Sequence, residues 1–326
     1  MKAFSRSLAV VLVFLSFISD AAAQNWPMRP VTLVVGFPPG GADDSIARIL
    51  APRLAEKLGQ PVNIENVAGK SGLAAATRVA KALPDGYEII LGSSSIHAAS
   101  QSVFKNPPYK SDVDFAPVAL LVEQPFIVIG RKGFSTGNLK DFVLAARRPA
   151  AVIRYGSAGT GSATHLSCER FNQAAGIQAQ HVPFNGGGPA LQALLAGEID
   201  FQCPVVTLPI PKIKSGEVNG IAILSRGRSS ALPDLPSAQE QGLTDFEATT
   251  WFALFLPAKS PPVVVQKLNA AAVTVLEDPA VQKGLSEVGG SVVSADRRSP
   301  EYLGRFLKSE IEKWATAVKA AGISLD

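Results

Sequence analysis

The chain has 326 residues, of which 47% are hydrophobic and 18% are charged, and its formal net charge is +4. A chain this apolar can bury a substantial core, which excludes intrinsic disorder, and its length favours one large domain or two modest ones. The basic residues are spread along the chain without a Lys/Arg block, so a nucleic-acid partner is not expected. Two cysteines and three histidines leave little material for a metal cluster.

The start of the chain has the pattern of a secretory signal peptide. Lys2 and Arg6 supply positive charge, residues 8–18 form an apolar run, and residues 21–23 (Ala-Ala-Ala) form a cleavage signal. The apolar run is about eleven residues long, whereas spanning a bilayer takes roughly 20, so a membrane anchor is disfavoured. We predict that residues 1–23 are removed and that the mature, exported chain begins at Gln24.

Strands and helices alternate in the first part of the mature chain. The β-branched and aliphatic run Val31–Val35 is typical of a strand that is covered on both faces. Apolar residues at every fourth position from Ile46 to Leu58 predict a helix that ends at Gly59. Further strands are predicted at 62–65 and 89–91, and a helix at 73–83. This alternation indicates parallel βαβ units and an α/β fold.

The alternation resumes in the second part of the chain. Strands are predicted at 126–129, 153–155, 181–184, 199–201, 220–224 and 251–256, with helices at 139–146, 163–175 and 189–196. Three helical stretches then open at Pro261, Pro279 and Pro300, where the missing N–H of proline is tolerated. Because these last helices have no matching strands, we predict that the tail packs back on an earlier sheet.

Cys168 and Cys203 are the pair available for a disulfide, which export to an oxidising compartment permits. Cys168 falls in a helical pattern and Cys203 follows a strand-like segment, so the sequence does not give the distance between them. Both interpretations, a disulfide and two buried small residues, remain open.

Loops rich in glycine and serine follow several of the predicted strands. They span residues 37–44, 93–97 and 156–165, and residues 185–188 (Asn-Gly-Gly-Gly) form a fourth candidate. In open parallel sheets, ligands bind beyond the carboxyl ends of the strands. Glycine allows close approach of backbone N–H groups, and helix N-termini favour anions. We predict a cleft for a small anion, most simply a carboxylate; for any single loop the alternative is a tight turn with a helix cap.

Polar residues in these loops have more specific interpretations. Asp43 and Asp44 lie in the first turn of the first predicted helix, where acidic side chains cap backbone N–H groups, and we predict that role for both. His181 lies in a strand pattern and is predicted to be a packed residue. His97 and His165 have two open interpretations, as donors to a ligand carboxylate or as helix caps. The three histidines lack the spacing of a metal site.

Catalytic motifs are incomplete. Residues 159–163 (Gly-Thr-Gly-Ser-Ala) lack the final glycine of a G-x-S-x-G elbow, and Ile64 stands where a P-loop before Lys70 requires glycine. The first loop reads G-F-P-P-G-G, which is not a dinucleotide fingerprint. No cofactor is therefore predicted. A secreted hydrolase that uses a Ser/His pair in the cleft remains as the alternative function.

Many short motifs occur in an order that matches a known family. They include residues 34–41 (Val-Val-Gly-Phe-Pro-Pro-Gly-Gly), 84–87 (Pro-Asp-Gly-Tyr), 114–118 (Asp-Phe-Ala-Pro-Val), 155–159 (Tyr-Gly-Ser-Ala-Gly), 181–184 (His-Val-Pro-Phe) and 232–236 (Leu-Pro-Asp-Leu-Pro). From Trp26 to Ile323 the sequence resembles the periplasmic substrate-binding proteins of tripartite tricarboxylate transporters, the Bug receptors. So many ordered matches are more specific than any single glycine-rich loop.

The resemblance implies an α/β, two-lobed periplasmic binding protein of type II-like architecture, with a mainly parallel sheet in each lobe and a ligand cleft between the lobes. Residues 24–123 and 249–326 are expected to form lobe one, and residues 124–248 lobe two. A monomer is expected. The implied function is that of a receptor, not an enzyme, which captures a small carboxylate. Its expected partners are the membrane permease subunits of a tripartite transporter or a sensor kinase.

The resemblance also implies which residues contact the ligand. One departure from the family matters, because Pro204 stands where many members place an aspartate that meets the far end of the ligand. An amino-acid ligand is therefore disfavoured, and we expect a carboxylate or dicarboxylate, aromatic ones included. The expected contacts are Phe37, Pro39, Gly40, Gly41, Ser94, Ser95, His97, Ser157, Ala158, Ser162, Thr164, His165, Asn185, Gly186 and Pro204.

Overall fold

The computed structural model describes residues 25–134, 137–148 and 152–325. The predicted signal peptide, residues 1–23, lies outside these ranges. None of the helices within them combines the length and the hydropathy that crossing a bilayer requires.

The regular elements follow one another as the alternation in the sequence predicts. The strands are β1 (Val31–Val35), β2 (Val62–Asn66), β3 (Glu88–Ser93), β4 (Phe115–Pro125), β5 (Ile127–Arg131), β6 (Arg154–Ser157), β7 (Gln180–Pro183), β8 (Phe201–Gln202), β9 (Val218–Ile223), β10 (Thr249–Pro257) and β11 (Ser291–Val292). The α-helices are α1 (Ala42–Leu58), α2 (Leu73–Ala80), α3 (Ser100–Val103), α4 (Leu139–Ala146), α5 (Ala163–Ala175), α6 (Gly187–Leu195), α7 (Ile210–Lys214), α8 (Pro262–Glu277), α9 (Pro279–Glu287) and α10 (Pro300–Ala321). A π-helical segment, Ser94–Ala99, follows β3, and a short 3₁₀ segment, Lys70–Gly72, precedes α2.

The first sheet has six strands in the order β11-β4-β10-β3-β1-β2. β1 pairs in parallel with β2 and β3, whereas β10 runs antiparallel to both β3 and β4. The apolar side chains of β1 are fully buried, as expected for a strand that is covered on both faces. The helical tail returns to this sheet, because α8 and α10 both pack on β4.

The second sheet has five strands in the order β7-β6-β8-β5-β9. β6 pairs in parallel with β7 and β8, and β5 runs antiparallel to β8 and β9. A disulfide joins Cys168 in α5 to Cys203 just after β8, with 5.3 Å between the Cα atoms. Both cysteines are fully buried. Of the two interpretations that the sequence left open, the structure therefore has the disulfide.

Two chain segments connect the sheets, and they lie side by side. Phe126, between β4 and β5, donates its N–H to the Ala248 carbonyl at 3.0 Å. Ala248 donates in turn to Leu224 at 2.7 Å, and Leu224 to Phe126 at 2.8 Å. These bonds satisfy backbone groups that are buried where the chain leaves one sheet for the other.

Local sequence signals explain where the long helices begin and end. α1 ends at Gly59, which adopts the left-handed conformation (φ 72°) and donates to the Ala55 carbonyl. At the other end of the chain, the Ser299 side chain accepts from Tyr302 N–H to cap α10, which ends at left-handed Gly322. These signals place helix ends close to the predicted positions.

The fold class is confirmed, with two corrections to its details. The sequence pattern does not predict β4, because Pro117 and Pro125 interrupt it. Proline is tolerated here because β11 pairs with β4 only at Val122 and Glu123, so most of that side of β4 is an open edge. The sheets are also mixed instead of mainly parallel. In the first sheet β10 pairs antiparallel with β3 and β4, and in the second sheet β5 pairs antiparallel with β8 and β9.

Candidate ligand-binding site

A cavity lies where the loops after β1, β3 and β6 approach the N-terminus of α6 and the segments that connect the sheets. We call it the inner cavity; together with the solvent space at its open mouth it has a volume of about 600 Å³. It is lined by Phe37, Pro38, Pro39, Gly41, Ala42, Asp43, Ser93, Ser95, Phe126, Ala158, Ala163, Thr164, Gly187, Gly188, Pro204, Val205, Leu208, Thr250 and Phe252. Most of the lining side chains are aromatic or aliphatic. Hydroxyl groups come from Ser93, Ser95, Thr164 and Thr250.

A second, more open cavity adjoins the first. This outer cavity is lined by Phe37, Pro38, Gly69, Lys70, Ser71, Gly72, Phe104, Ala158, Gly159, Thr160, Pro183, Phe184, Asn185, Gly186 and Leu325. It shares Phe37, Pro38 and Ala158 with the inner cavity. Lys70 is the cationic side chain in its lining, and this residue adopts a left-handed backbone conformation (φ 48°).

The structure divides the residues predicted from the sequence into three groups. Phe37, Pro39, Gly41, Ser95, Ala158, Thr164 and Pro204 line the inner cavity. Asn185 and Gly186 line the outer cavity. Gly40, Ser94, His97, Ser157, Ser162 and His165 belong to neither lining. The glycine-rich loops therefore converge on the two cavities. Five of the predicted polar residues nevertheless lie outside both linings, namely Ser94, His97, Ser157, Ser162 and His165.

Two helices from opposite sheets present uncapped N-termini to the inner cavity. α1 follows Gly41 and α6 follows Gly186, and neither helix has a side-chain hydrogen bond at its cap. The first N–H groups of a helix have no intrahelical acceptor, and the helix dipole adds partial positive charge there. First-turn residues of both helices line the cavity, Ala42 in α1 and Gly187 and Gly188 in α6. The arrangement favours an anion without any cationic side chain.

The Gly40 backbone is already bound to the protein. Its N–H donates to Oδ2 of Asp44 at 2.9 Å, and the same carboxylate accepts from Arg48 Nε at 2.8 Å and Asn66 Nδ2 at 3.1 Å. Burial alone raises the pKa of Asp44, but hydrogen bonds from Arg48, Gly40 and Asn66 bring it below its ordinary value. Asp44 thus accepts the N–H of Gly40, which lies in the loop just before α1, so this N–H is not available to a ligand.

Asp43 accepts its own backbone N–H in the first turn of α1, and its side chain also borders the inner cavity. Its side chain is 8% exposed, it lines the inner cavity, and its Oδ1 has no hydrogen-bond partner among the described residues. Burial raises the pKa of Asp43 to about 7, and the neighbouring charge of Asp44 adds to the effect. The inner cavity therefore contains an acid that the sequence analysis assigned to a structural role.

The loop after β6 satisfies most of its own polar groups. Ser162 caps α5 by accepting from His165 N–H, and its hydroxyl donates to the Gly159 carbonyl at 2.7 Å. Thr164 Oγ1 accepts the Ala158 N–H at 2.9 Å, and His165 Nδ1 accepts the Gly161 N–H at 3.0 Å. Of the two interpretations of His165, the structure thus favours the one in which its ring holds the loop at the start of α5.

His97 is buried in an aromatic cluster away from the cavities. Its ring centroid lies 4.1 Å from that of Phe255 and 4.7 Å from that of Phe115, and the residue is 0% exposed. Burial lowers the pKa of His97 to about 3, so the ring is neutral at physiological pH. The structure supports neither donation to a ligand nor helix capping by this side chain.

A Ser/His pair does occur, between Ser157 Oγ and His181 Nε2 at 2.7 Å. Ser157 is 0% exposed and lies outside both cavity linings, and its hydroxyl also donates to the Gly159 carbonyl. His181 stacks on His165 with centroids 3.7 Å apart, and burial lowers the pKa of His181 to about 4. The pair therefore connects the neighbouring strands β6 and β7 of the second sheet. Across the described ranges, no three His, Cys, Asp or Glu side chains are placed to hold a metal ion.

Two hydrogen bonds cross between the elements of the two sheets beside the cavities. Ser71 Oγ donates to the Thr160 carbonyl at 3.1 Å, and Ser95 Oγ accepts from Ala163 N–H at 2.9 Å. Ser71 and Thr160 belong to the outer cavity, and Ser95 and Ala163 to the inner one. Both cavities are therefore closed in part by contacts between the sheets.

Several lining residues were absent from the sequence-based set. Phe126, Thr250 and Phe252 lie where the chain passes between the sheets, and Val205 and Leu208 follow the predicted contact Pro204. The first group lies close to the positions 124 and 249 at which the sequence analysis expected the chain to change lobes, and this is the signal that could have found it. Ser93 opens the predicted loop 93–97 but was not among the expected contacts, and Leu208 carried no comparable signal.

The comparisons with known proteins identify the family. Residues 46–323 match the model of the tripartite tricarboxylate transporter family receptor. The chain belongs to this receptor family. MatC from Rhodopseudomonas palustris, solved with bound malate, is 38% identical with a TM-score of 0.84, over 90% of this chain and 100% of MatC. The periplasmic binding protein BugD is 34% identical with a TM-score of 0.86, over 92% of this chain and 99% of BugD.

A third similar structure is Rpa4515 of R. palustris with adipate, at 33% identity and a TM-score of 0.87. It covers 92% of this chain and 99% of its own. As a member of the tripartite tricarboxylate transporter receptor family, this chain is a solute-binding receptor and not an enzyme, which decides against the hydrolase alternative. The resemblance seen in the short motifs is thus confirmed.

Proposed function

We propose that this receptor captures a small carboxylate, most favourably a dicarboxylate, in the inner cavity. The observation that carries the proposal is the meeting of two helix N-termini without side-chain caps, those of α1 and α6, at a cavity whose described lining residues include no cationic side chain. A carboxylate offers oxygens to N–H groups from both sides at once. The similar proteins solved with malate and with adipate support this ligand class.

The rest of the cavity suits the carbon skeleton of such a ligand. Phe37, Phe126, Phe252, Val205 and Leu208 form apolar walls, and Pro204 removes the acidic contact expected in many family members. An aliphatic or aromatic spacer gains from leaving water here, since apolar burial contributes about 25 cal/mol per Å². We place a second carboxylate of the ligand toward the outer cavity, where Lys70 provides positive charge.

The family and the sequence pattern of residues 1–23 support a proposal for the cellular role. We propose that residues 1–23 direct export and are removed near Ala23, so that the receptor works in the periplasm as a monomer. The two sheets are proposed as the cores of two lobes, 24–123 with 249–326 and 124–248, that close on the ligand. Delivery to the permease subunits of a tripartite transporter is the proposed outcome, with a sensor kinase as the alternative partner.

A thermal-shift screen of the purified mature chain tests the ligand class. Each carboxylate, such as malate, adipate or benzoate, is paired with its uncharged amide, and aspartate and glutamate are included. A ligand at about 100 times its dissociation constant stabilises the fold by about 2.7 kcal/mol. We expect shifts with dicarboxylates and none with the amides. A flat response to all carboxylates, or tight aspartate or glutamate binding without dicarboxylate binding, would contradict the proposal.

A further inference from the structure

The inner cavity contains an acidic side chain, whereas the proposed ligand is itself an anion. Among the described residues that line it, Asp43 carries the one ionisable side chain, and no lysine, arginine or histidine accompanies it. An ionised Asp43 would face an incoming carboxylate at close range in a poorly solvated space, where like charges repel strongly. The site therefore needs a way to remove this charge.

The surroundings of Asp43 favour its neutral form. The side chain is 8% exposed, and its Oδ1 has no hydrogen-bond partner in the part of the chain that the structure describes. Burial raises the pKa of Asp43 to about 7, although its own N–H and Ser93 act in the opposite direction. A carboxylate ligand brings further negative charge and favours the protonated form still more.

The charged groups near α1 are paired elsewhere. Asp44, the next residue in α1, acts on Asp43 and is held by Arg48. In the first sheet, Glu65 of β2 and Glu88 of β3 both form ion pairs with Arg78. The helices that pack on α1 contribute further ion pairs. Those pairs are Asp278 with Arg53, and Lys283 with Glu287. Of all these groups, Asp44 is the one whose charge changes the titration of Asp43.

We propose that Asp43 is a specificity-determining residue that binds the ligand in its protonated form, donating its carboxyl O–H to a ligand carboxylate oxygen. The ligand keeps its negative charge, and the proton on Asp43 comes from solvent, so that one proton is taken up with each carboxylate bound by an ionised receptor. This inference rests on the proposed carboxylate function. Protonated Asp43 adds a donor to those of the two helix N-termini and makes the site selective for acceptor groups over ammonium groups.

Calorimetric titration of the mature chain tests this role. The probe is adipate or malate, whichever gives the larger thermal shift, measured from about pH 6 to about pH 9. For the wild type we expect a dissociation constant that is flat up to about pH 7 and rises about tenfold per pH unit above it. Repeating the titration in buffers of different ionisation enthalpy should show proton uptake that approaches one per ligand at the alkaline end.

Two variants separate Asp43 from other sources of pH dependence. Asp43→Asn keeps a hydrogen-bond donor without a titrating group, so its affinity should be independent of pH, with no proton uptake. Asp112→Asn, at an exposed position, should keep the wild-type profile. An Asp43→Asn variant with the wild-type pH profile, or one that loses binding at every pH, would overturn the role of Asp43 while leaving the carboxylate function intact. Absence of carboxylate binding by the wild type at every pH would overturn both.

Discussion

The Ser95 hydroxyl accepts a 2.9 Å hydrogen bond from the Ala163 N–H, which connects the segment after β3 of the first sheet to the first turn of α5 on the second. Both residues line the inner cavity. The bond satisfies an N–H that a helix start leaves without an intrahelical acceptor. A contact made by the cavity wall itself therefore links the two halves of the site.

Ser95→Ala tests the energetic weight of this contact. Removing the hydroxyl leaves the Ala163 N–H without its acceptor and disfavours the arrangement in which the sheets close on the cavity. We expect carboxylate affinity to fall about five- to tenfold, as for the loss of one hydrogen bond of about 1 kcal/mol. Titration calorimetry measures it. Ser309→Ala, an exposed serine that bonds within α10, is the matched control and should bind as the wild type does.

Gly186→Ala should destabilise the protein. Gly186 has φ 122°, and a Cβ atom there lies 2.9 Å from Cδ of Pro38, a residue of the facing loop. Backbone strain and overlap together predict a loss of about 1–3 kcal/mol in the free energy of unfolding. Gly188→Ala is the control, since no atom lies within 4 Å of its Cβ position and helical alanine is favoured by about 0.5–1 kcal/mol. Urea denaturation distinguishes them; equal losses in both variants would contradict the prediction.

Loss of the disulfide should lower stability markedly. Cys168 and Cys203 are 35 positions apart, and closing a loop of that size restricts the unfolded chain by about 3–4 kcal/mol in the chain-entropy model. We expect the double variant Cys168→Ala/Cys203→Ala to unfold at lower urea concentration by that amount. Reductant should shift the wild type in the same direction and leave the double variant unchanged. A wild type insensitive to reductant after unfolding and refolding would argue against the bridge.

Acid should destabilise the protein partly through His97. Burial lowers the pKa of His97 from 6.5 to about 3, so the stability from its neutral form is complete above pH 6.5 and is lost as the pH falls toward 3. Between these pH values, the titration of His97 lowers the free energy of unfolding by up to about 1.4 kcal/mol per pH unit. His97→Leu should flatten the dependence of unfolding free energy on pH below about 6.5. If the slope stays as in the wild type, His97 is not the group that titrates.

Asp43 should affect stability with the opposite sign. Because burial raises the pKa of Asp43 from 3.8 to about 7, its contribution is complete below pH 3.8 and is lost as the pH rises through about 7. Without ligand, Asp43→Asn should therefore gain stability over the wild type between pH 5 and pH 8, by an amount on the order of 1–3 kcal/mol. Denaturant titrations at the two pH values measure it. A constant difference between the two proteins would contradict an Asp43 that ionises in this range.

The sequence determined most of the secondary structure, because its signals are local. The stripe from Ile46 to Leu58, the cap at Ser299 and the left-handed glycines at 59 and 322 each act within one or two turns of chain. The ordered motifs also determined the family. The β4 strand was not predicted because its prolines are typical of a strand break. Only its pairing with β10 and β11 in the tertiary structure shows that the strand continues.

Tertiary structure alone decided which loop residues face the cavity and which are used by the protein. Gly40 and Asp43 are three positions apart, yet the N–H of Gly40 is bound by Asp44, whereas the side chain of Asp43 lines the cavity. The disulfide and the Ser95 contact likewise join residues distant in the chain. Composition and periodicity report local preferences, whereas the competition of several acceptors for one N–H depends on where the fold brings them together.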